Sequence, residues 1–95
     1  MAKYKITCYC SACNSPKGSR DTASGETATA GVTVAVHRTK YSKNKEIDIP
    51  GIGKRKIQDK HGNGENVIDV YVGECETCNC SKHPYSGMTC EVTGL

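Results

Sequence analysis

Apolar and polar side chains alternate along much of this chain. Ile68, Val70 and Val72 are interleaved with Asp69 and Tyr71, the period of two that marks a strand with one buried face. Residues 3–10 read as a first strand, with Tyr4, Ile6, Cys8 and Cys10 on one side and Tyr9 breaking the alternation. Val32, Val34 and Val36 place a second strand at 31–37. Residues 46–53 form a short third strand, ended on one side by Pro50, which cannot donate to a ladder. Residues 54–59 pair back on it as a hairpin. A fifth strand covers 67–73 and a last short one 88–92. The stretch 11–25 is rich in Asn, Ser, Pro and Gly and reads as loop, and 74–84 as a cysteine-bearing loop. No stretch carries a helical period. Short strands at close spacing with glycine-rich turns predict an all-β barrel or sandwich.

Composition adds a constraint on stability. Ninety-five residues make one domain, 1–95, and a chain this short has a thin core. Trp and Phe are absent, 36% of residues are hydrophobic, and seven are cysteine. A small domain with a weak core needs disulfides or a metal. The N-terminal residues carry no apolar signal-peptide core, and no stretch reaches the length of a membrane span. The expectation is synthesis in the cytoplasm, where thiols stay reduced; a removed leader, or release by lysis, would reverse that. Net charge is +3. Arg38, Lys40, Lys43, Lys45, Lys54, Arg55, Lys56 and Lys60 face only Glu46, Asp48 and Asp59 in between. That stretch is a solvated face, or a surface attracting a polyanion. No nucleic-acid recognition motif accompanies it, and no nucleic-acid partner is expected.

Cys8, Cys10 and Cys13 are spaced C-x-C-x-x-C, and Cys75, Cys78 and Cys80 repeat that spacing in mirror order. If strands 3–10 and 67–73 are neighbours, the two clusters meet at one end. Thiolates on a strand end and the adjoining turn suit a tetrahedral structural zinc, with His83 as a substitute ligand. Disulfides are the competing reading, although an odd count leaves one thiol over. An iron–sulfur cluster fits the spacings poorly.

Two carboxylates stand out. Asp59 precedes a turn with Gly62 and Gly64, and Asp69 follows on the next strand. A strand is a rigid support for a catalytic side chain. Either carboxylate could equally serve only to accept backbone N–H bonds and close the turn.

The ordered set Thr22-Ala23-Ser24-Gly25, Ala30 to Val36, Ile49-Pro50-Gly51-Ile52-Gly53, Gln58-Asp59, a glycine loop and Ile68-Asp69-Val70-Tyr71 resembles the 3D (three-aspartate) domain family. That family has a double-psi β-barrel fold and includes lytic transglycosylase A-like and phage or Firmicute muralytic proteins. Tyr9-Cys10 with Cys13 also resembles its usual start. The resemblance runs over residues 4–93. It implies a small six-stranded double-psi β-barrel with a cysteine-rich, metal-binding appendage. The family's second and third aspartates fall on Asp59 and Asp69, whereas His37 stands at the first. The second motif is altered to Asp59-Lys60-His61-Gly62, and Cys75 to Cys80 look like an insertion.

The resemblance implies peptidoglycan glycan strands as substrate. The bond between N-acetylmuramic acid and N-acetylglucosamine is cleaved as the sugar's own 6-hydroxyl closes onto the anomeric carbon, at the cell wall and with a phage or prophage as a source. Such chemistry needs a carboxyl protonated near neutrality, well above the ordinary value of about 3.9. Asp69 takes the acid/base role and Asp59 tunes it. Thr22, Ser24 and His37 would contact substrate. The alternative is a non-catalytic zinc-stabilised module that binds glycan or builds a larger assembly.

Overall fold

The computed structural model describes residues 2–11, 22–62, 64–73, 80, 83–92 and 95. The chain is all-β, as its alternation predicts, and six strands form one nearly closed barrel. They are β1 (Ala2–Tyr9), β2 (Thr33–His37), β3 (Glu46–Ile49), β4 (Gly53–His61), β5 (Val67–Tyr71) and β6 (Thr89–Val92), in the order β3-β4-β2-β5-β1-β6. The pairing senses are symmetric about the centre. β2 and β5 run antiparallel; each has a parallel neighbour outside it, β4 and β1; each of those has an antiparallel edge strand, β3 and β6. The two edge strands pack on each other across a seam, where Cys90 Sγ donates to the carbonyl of Pro50 at 3.3 Å.

The expected hairpin of 46–53 with 54–59 is present as β3–β4, with β4 running on to His61. Ile52 N–H donates to Ile49 O at 2.9 Å. At this tight turn Gly51 has φ 84°, left-handed backbone that suits glycine. An added Cβ there would meet Met88 Cε at 3.2 Å.

The barrel interior holds Tyr4, Ile6, Val34, Val36, Ile47, Ile49, Ile57, Ile68, Val70, Cys90 and Val92. With no Phe or Trp, branched aliphatics fill it, each contributing roughly 1.5–3 kcal/mol when fully buried. Tyr4 is the large aromatic among them, and its hydroxyl accepts from Lys40 Nζ at 2.9 Å.

One irregularity decides how the site is built. Along β2–β4, Val34 pairs with Ile57 but Ala35 pairs with Asp59, so Gln58 is an extra residue. Strict alternation would put Asp59 on the same face as Ile57, inside the barrel. A one-residue bulge moves everything after it to the other face. Gln58 therefore turns Asp59 and His61 outward. The bulge is held by a polar network that runs from buried Thr33 and Gln58 out to exposed Glu26 and Asn44. Thr33 Oγ1 donates to Gln58 Oε1 at 2.6 Å. Gln58 Nε2 donates to Glu26 Oε2 at 3.1 Å and Asn44 Oδ1 at 3.2 Å, and Asn44 Nδ2 in turn donates to Glu26.

Candidate functional site

The outer face of the sheet carries a row of four residues on adjacent strands. Thr7 on β1 pairs with Asp69 on β5. Asp69 pairs with Ala35 on β2, and Ala35 pairs with Asp59 on β4. Laterally paired residues project from the same face. The two aspartates thus flank Ala35 on one surface, their backbones roughly 10 Å apart, which is two strand spacings. Two residues from the row on the same face, but on opposite sides of it because β2 and β5 run antiparallel, come the pairs Tyr9–Tyr71 and His37–His61.

This face is covered. Tyr9, Tyr71, Ala35 and Ala28 form a second small apolar cluster, with the tyrosine rings edge-on at 5.2 Å. Tyr9, which breaks the alternation of β1, is 7% exposed. The end of β1 is buried on both faces, and that is why its pattern ceases to alternate there.

Asp69 lies beside this cluster and accepts a hydrogen bond from Thr7 Oγ1 at 3.0 Å. Burial raises its carboxyl above the usual carboxylate range. The Thr7 bond and the His61 imidazole pull it back down, while the negative charge of Asp59 pushes it up. Desolvation is the largest of these, so the net direction is toward the protonated acid.

Asp59 is more committed to local structure. Its Oδ1 accepts the backbone N–H of Ala23 at 3.2 Å and of Lys60 at 2.9 Å. It thereby fixes the loop at 22–26 to β4, helped by Ser24 N–H on Gln58 O at 3.0 Å. Thr22 and Ser24 do lie at the site, but their protons are used within the loop. Thr22 Oγ1 donates to Glu26 O at 2.6 Å, which leaves Ser24 as donor in the 2.8 Å Thr22–Ser24 contact. What these hydroxyls offer a ligand is a lone pair.

Both histidines make local hydrogen bonds. His37 Nδ1 accepts Thr39 N–H at 3.3 Å and contacts Thr39 Oγ1 at 2.8 Å, capping the short turn Arg38–Lys40. His61 donates its Nε2 proton to Val67 O at 2.8 Å, closing the glycine loop, and its ring is the one whose charge bears on Asp69. The two rings stand edge-on at 6.0 Å.

Among the cysteines, Cys8 and Cys80 lie close enough for their charges to interact. The Cys8 thiol is pushed up to about 11 by burial, then by Asp69 and Cys80. Because β1 and β5 are parallel neighbours, Cys10 and Gly73 lie at the same end of the barrel, where Ser11 N–H donates to Gly73 O at 3.1 Å. Cys10 is half of a disulfide, and a disulfide sulfur is not the thiolate that zinc binds. Cys13, Cys75 and Cys78 lie outside the described residues. Among the described residues, no group of three or more His, Cys, Asp and Glu side chains could hold a metal.

Sequence reasoning named Asp59, Asp69 and the Thr22–Ser24 loop, and the fold brings these together. It passed over Thr7, Tyr9 and Gln58. Tyr9 did leave a signal, as an aromatic at a position the alternation assigns to solvent. No helix among the described residues is long and apolar enough to cross a membrane. Neither a protein-family model nor a curated protein matches this chain.

Proposed function

We propose that this chain is a lytic transglycosylase-like domain of the three-aspartate type, cleaving the bond between N-acetylmuramic acid and N-acetylglucosamine in peptidoglycan. The observation that carries this reading is Asp69: a carboxyl on a central strand, raised by burial, in one row with Asp59 two strands away.

In the proposed reaction, protonated Asp69 donates its proton to the glycosidic oxygen as the bond to the anomeric carbon breaks. The carboxylate so formed takes the proton of the same sugar's 6-hydroxyl, whose oxygen bonds to the anomeric carbon. One proton leaves Asp69 and one returns, so no water is consumed and the product is a 1,6-anhydro sugar. Thr7 stabilises the carboxylate half of that cycle through its hydrogen bond. Asp59 holds the Thr22–Ser24 loop at the rim and adds negative charge that favours reprotonation. Incubation with purified cell wall tests this, with Asp69→Asn as the inactive control.

A second reading is favoured by the two backbone N–H groups on Asp59, which are what a loop tie needs and what a catalytic partner does not. In it the barrel binds glycan without turning it over, and titration with glycan shows binding and no product. In either case a structural zinc at the cysteine clusters is supported by the C-x-C-x-x-C and C-x-x-C-x-C spacings alone. With Cys10 in a disulfide, the four ligands would have to come from the other cysteines of the two clusters, and native mass measurement with and without reductant tests it.

A further inference from the structure

We propose that Tyr9 is a ligand-contacting residue of the Asp59–Asp69 site, its phenol donating a hydrogen bond to an oxygen of the bound glycan. This rests on the glycan reading above and names a contact which that reading does not contain.

The Tyr9 hydroxyl forms no bond that holds the described part of the fold together. Tyr9 is 7% exposed, and its Oη is buried with no hydrogen-bond partner among the described residues. A buried, unsatisfied hydroxyl costs about 1–3 kcal/mol, and an isosteric apolar group avoids that cost. The ring packs on Tyr71, Ala28 and Ala35, and a phenylalanine ring would pack the same way. The oxygen is therefore a liability to the unliganded protein.

Its position gives it a use. Tyr9 follows Thr7 by two residues on β1, and Tyr71 follows Asp69 by two on β5. Tyr9 and Asp69 are thus diagonal neighbours on one face, within reach of an aromatic side chain. Both Asp59 and Asp69 act on the phenol electrostatically and, with burial as the larger cause, drive it far above its ordinary range. It stays protonated at every working pH, so it is a donor. A ligand oxygen accepting from Tyr9 while a ligand hydroxyl meets Asp69 is the pairing that adjacent oxygens of a hexose provide.

Access runs through the segment over the cluster. Ala28 covers the tyrosine pair. Gly25 and Gly31, on either side of it, sit at φ 83° and 84°, with open space where each Cβ would project. For a ligand to reach the phenol this stretch must move, which breaks the Thr29 N–H bond to Thr33 Oγ1 and the Thr33 N–H bond to Thr29 O.

The test compares wild type and Tyr9→Phe in two measurements. Calorimetric unfolding of the unliganded proteins should give an equal or higher Tm for Tyr9→Phe. Titration with the N-acetylglucosamine tetramer should give an affinity at least tenfold weaker. A lowered Tm means the hydroxyl is partnered in the fold and overturns the proposal. So does unchanged affinity in Tyr9→Phe, which leaves the glycan reading intact. If wild type itself binds no tetramer, the glycan reading falls and takes this inference with it.

Discussion

Asp59 and Asp69 share one backbone neighbour: both are register partners of Ala35, one on each side of β2. Nothing in their separation along the chain requires this. It follows from the bulge at Gln58, which turns Asp59 out of the barrel and onto the face Asp69 already occupies. The electrostatics of the site depend on that single extra residue.

Asp69 should make the protein less stable as pH rises. Its folded-state pKa is raised above the unfolded value, so folding favours the protonated form. That stabilisation is complete below the unfolded value of about 3.9 and is lost as pH rises through the higher folded value. Asp69→Asn keeps an acceptor for Thr7 without the buried charge. Its Tm should match wild type near pH 4 and exceed it near pH 7, where each kcal/mol is worth about 4–8 °C in a domain of this size. Parallel Tm-versus-pH curves for the two proteins would contradict the assignment.

Replacing His61 acts on Asp69 in the opposite sense to its usual pull. His61→Phe removes the imidazole that lowers the Asp69 carboxyl and the hydrogen bond to Val67 O. Carboxyl-carbon NMR should show the Asp69 titration midpoint moving up, and stability should drop by about 1 kcal/mol for the lost bond. A midpoint that stays put or falls would mean that His61 does not act on the acid.

Gln58→Ala tests the bulge. It removes the acceptor for Thr33 Oγ1 and the donor to the exposed Glu26 and Asn44, leaving the buried Thr33 hydroxyl without its acceptor at about 1–3 kcal/mol. Urea unfolding should show a loss of about 2–4 kcal/mol once truncation of the buried side chain is included. A loss below about 0.5 kcal/mol, typical of a surface change, would show that the network does not hold the bulge.

The cysteines should differ in reactivity. With its thiol at about 11, Cys8 is almost wholly protonated at pH 8, and the thiolate is the nucleophile. Peptide mapping after iodoacetamide treatment at pH 8 should find Cys8 labelled well below its rate in the urea-unfolded chain. Reduction of the Cys10 disulfide should cost about 2–5 kcal/mol. Equal labelling in the two states, or an unfolding midpoint indifferent to reductant, would contradict these assignments.

Much of the fold was legible because local alternation carries it. Strands β2, β3 and β5 fall within the stretches their Val and Ile residues mark, and the β3–β4 hairpin follows from a tight Pro50-Gly51 turn. The cysteine spacing raised β1 and β5 as neighbours, but not their parallel register, and nothing marked β2–β4, since both pairings join strands separated by long connections and no turn residue encodes them. Within the site, Asp69 could be named from the period of two alone. Asp59 was named as well, but strict alternation puts it on the wrong face, and the Gln58 bulge has no signature in composition. Tyr9 was an irregularity without meaning until β5 was placed beside β1.

The most direct measurement is mass spectrometry of the soluble products released from purified peptidoglycan by wild type and by Asp69→Asn, at several pH values between about 4 and 8, where a raised carboxyl titrates. The account predicts 1,6-anhydro muropeptides from wild type and none from Asp69→Asn. Absence of anhydro products from folded wild type across that range, or their undiminished release by Asp69→Asn, would contradict it.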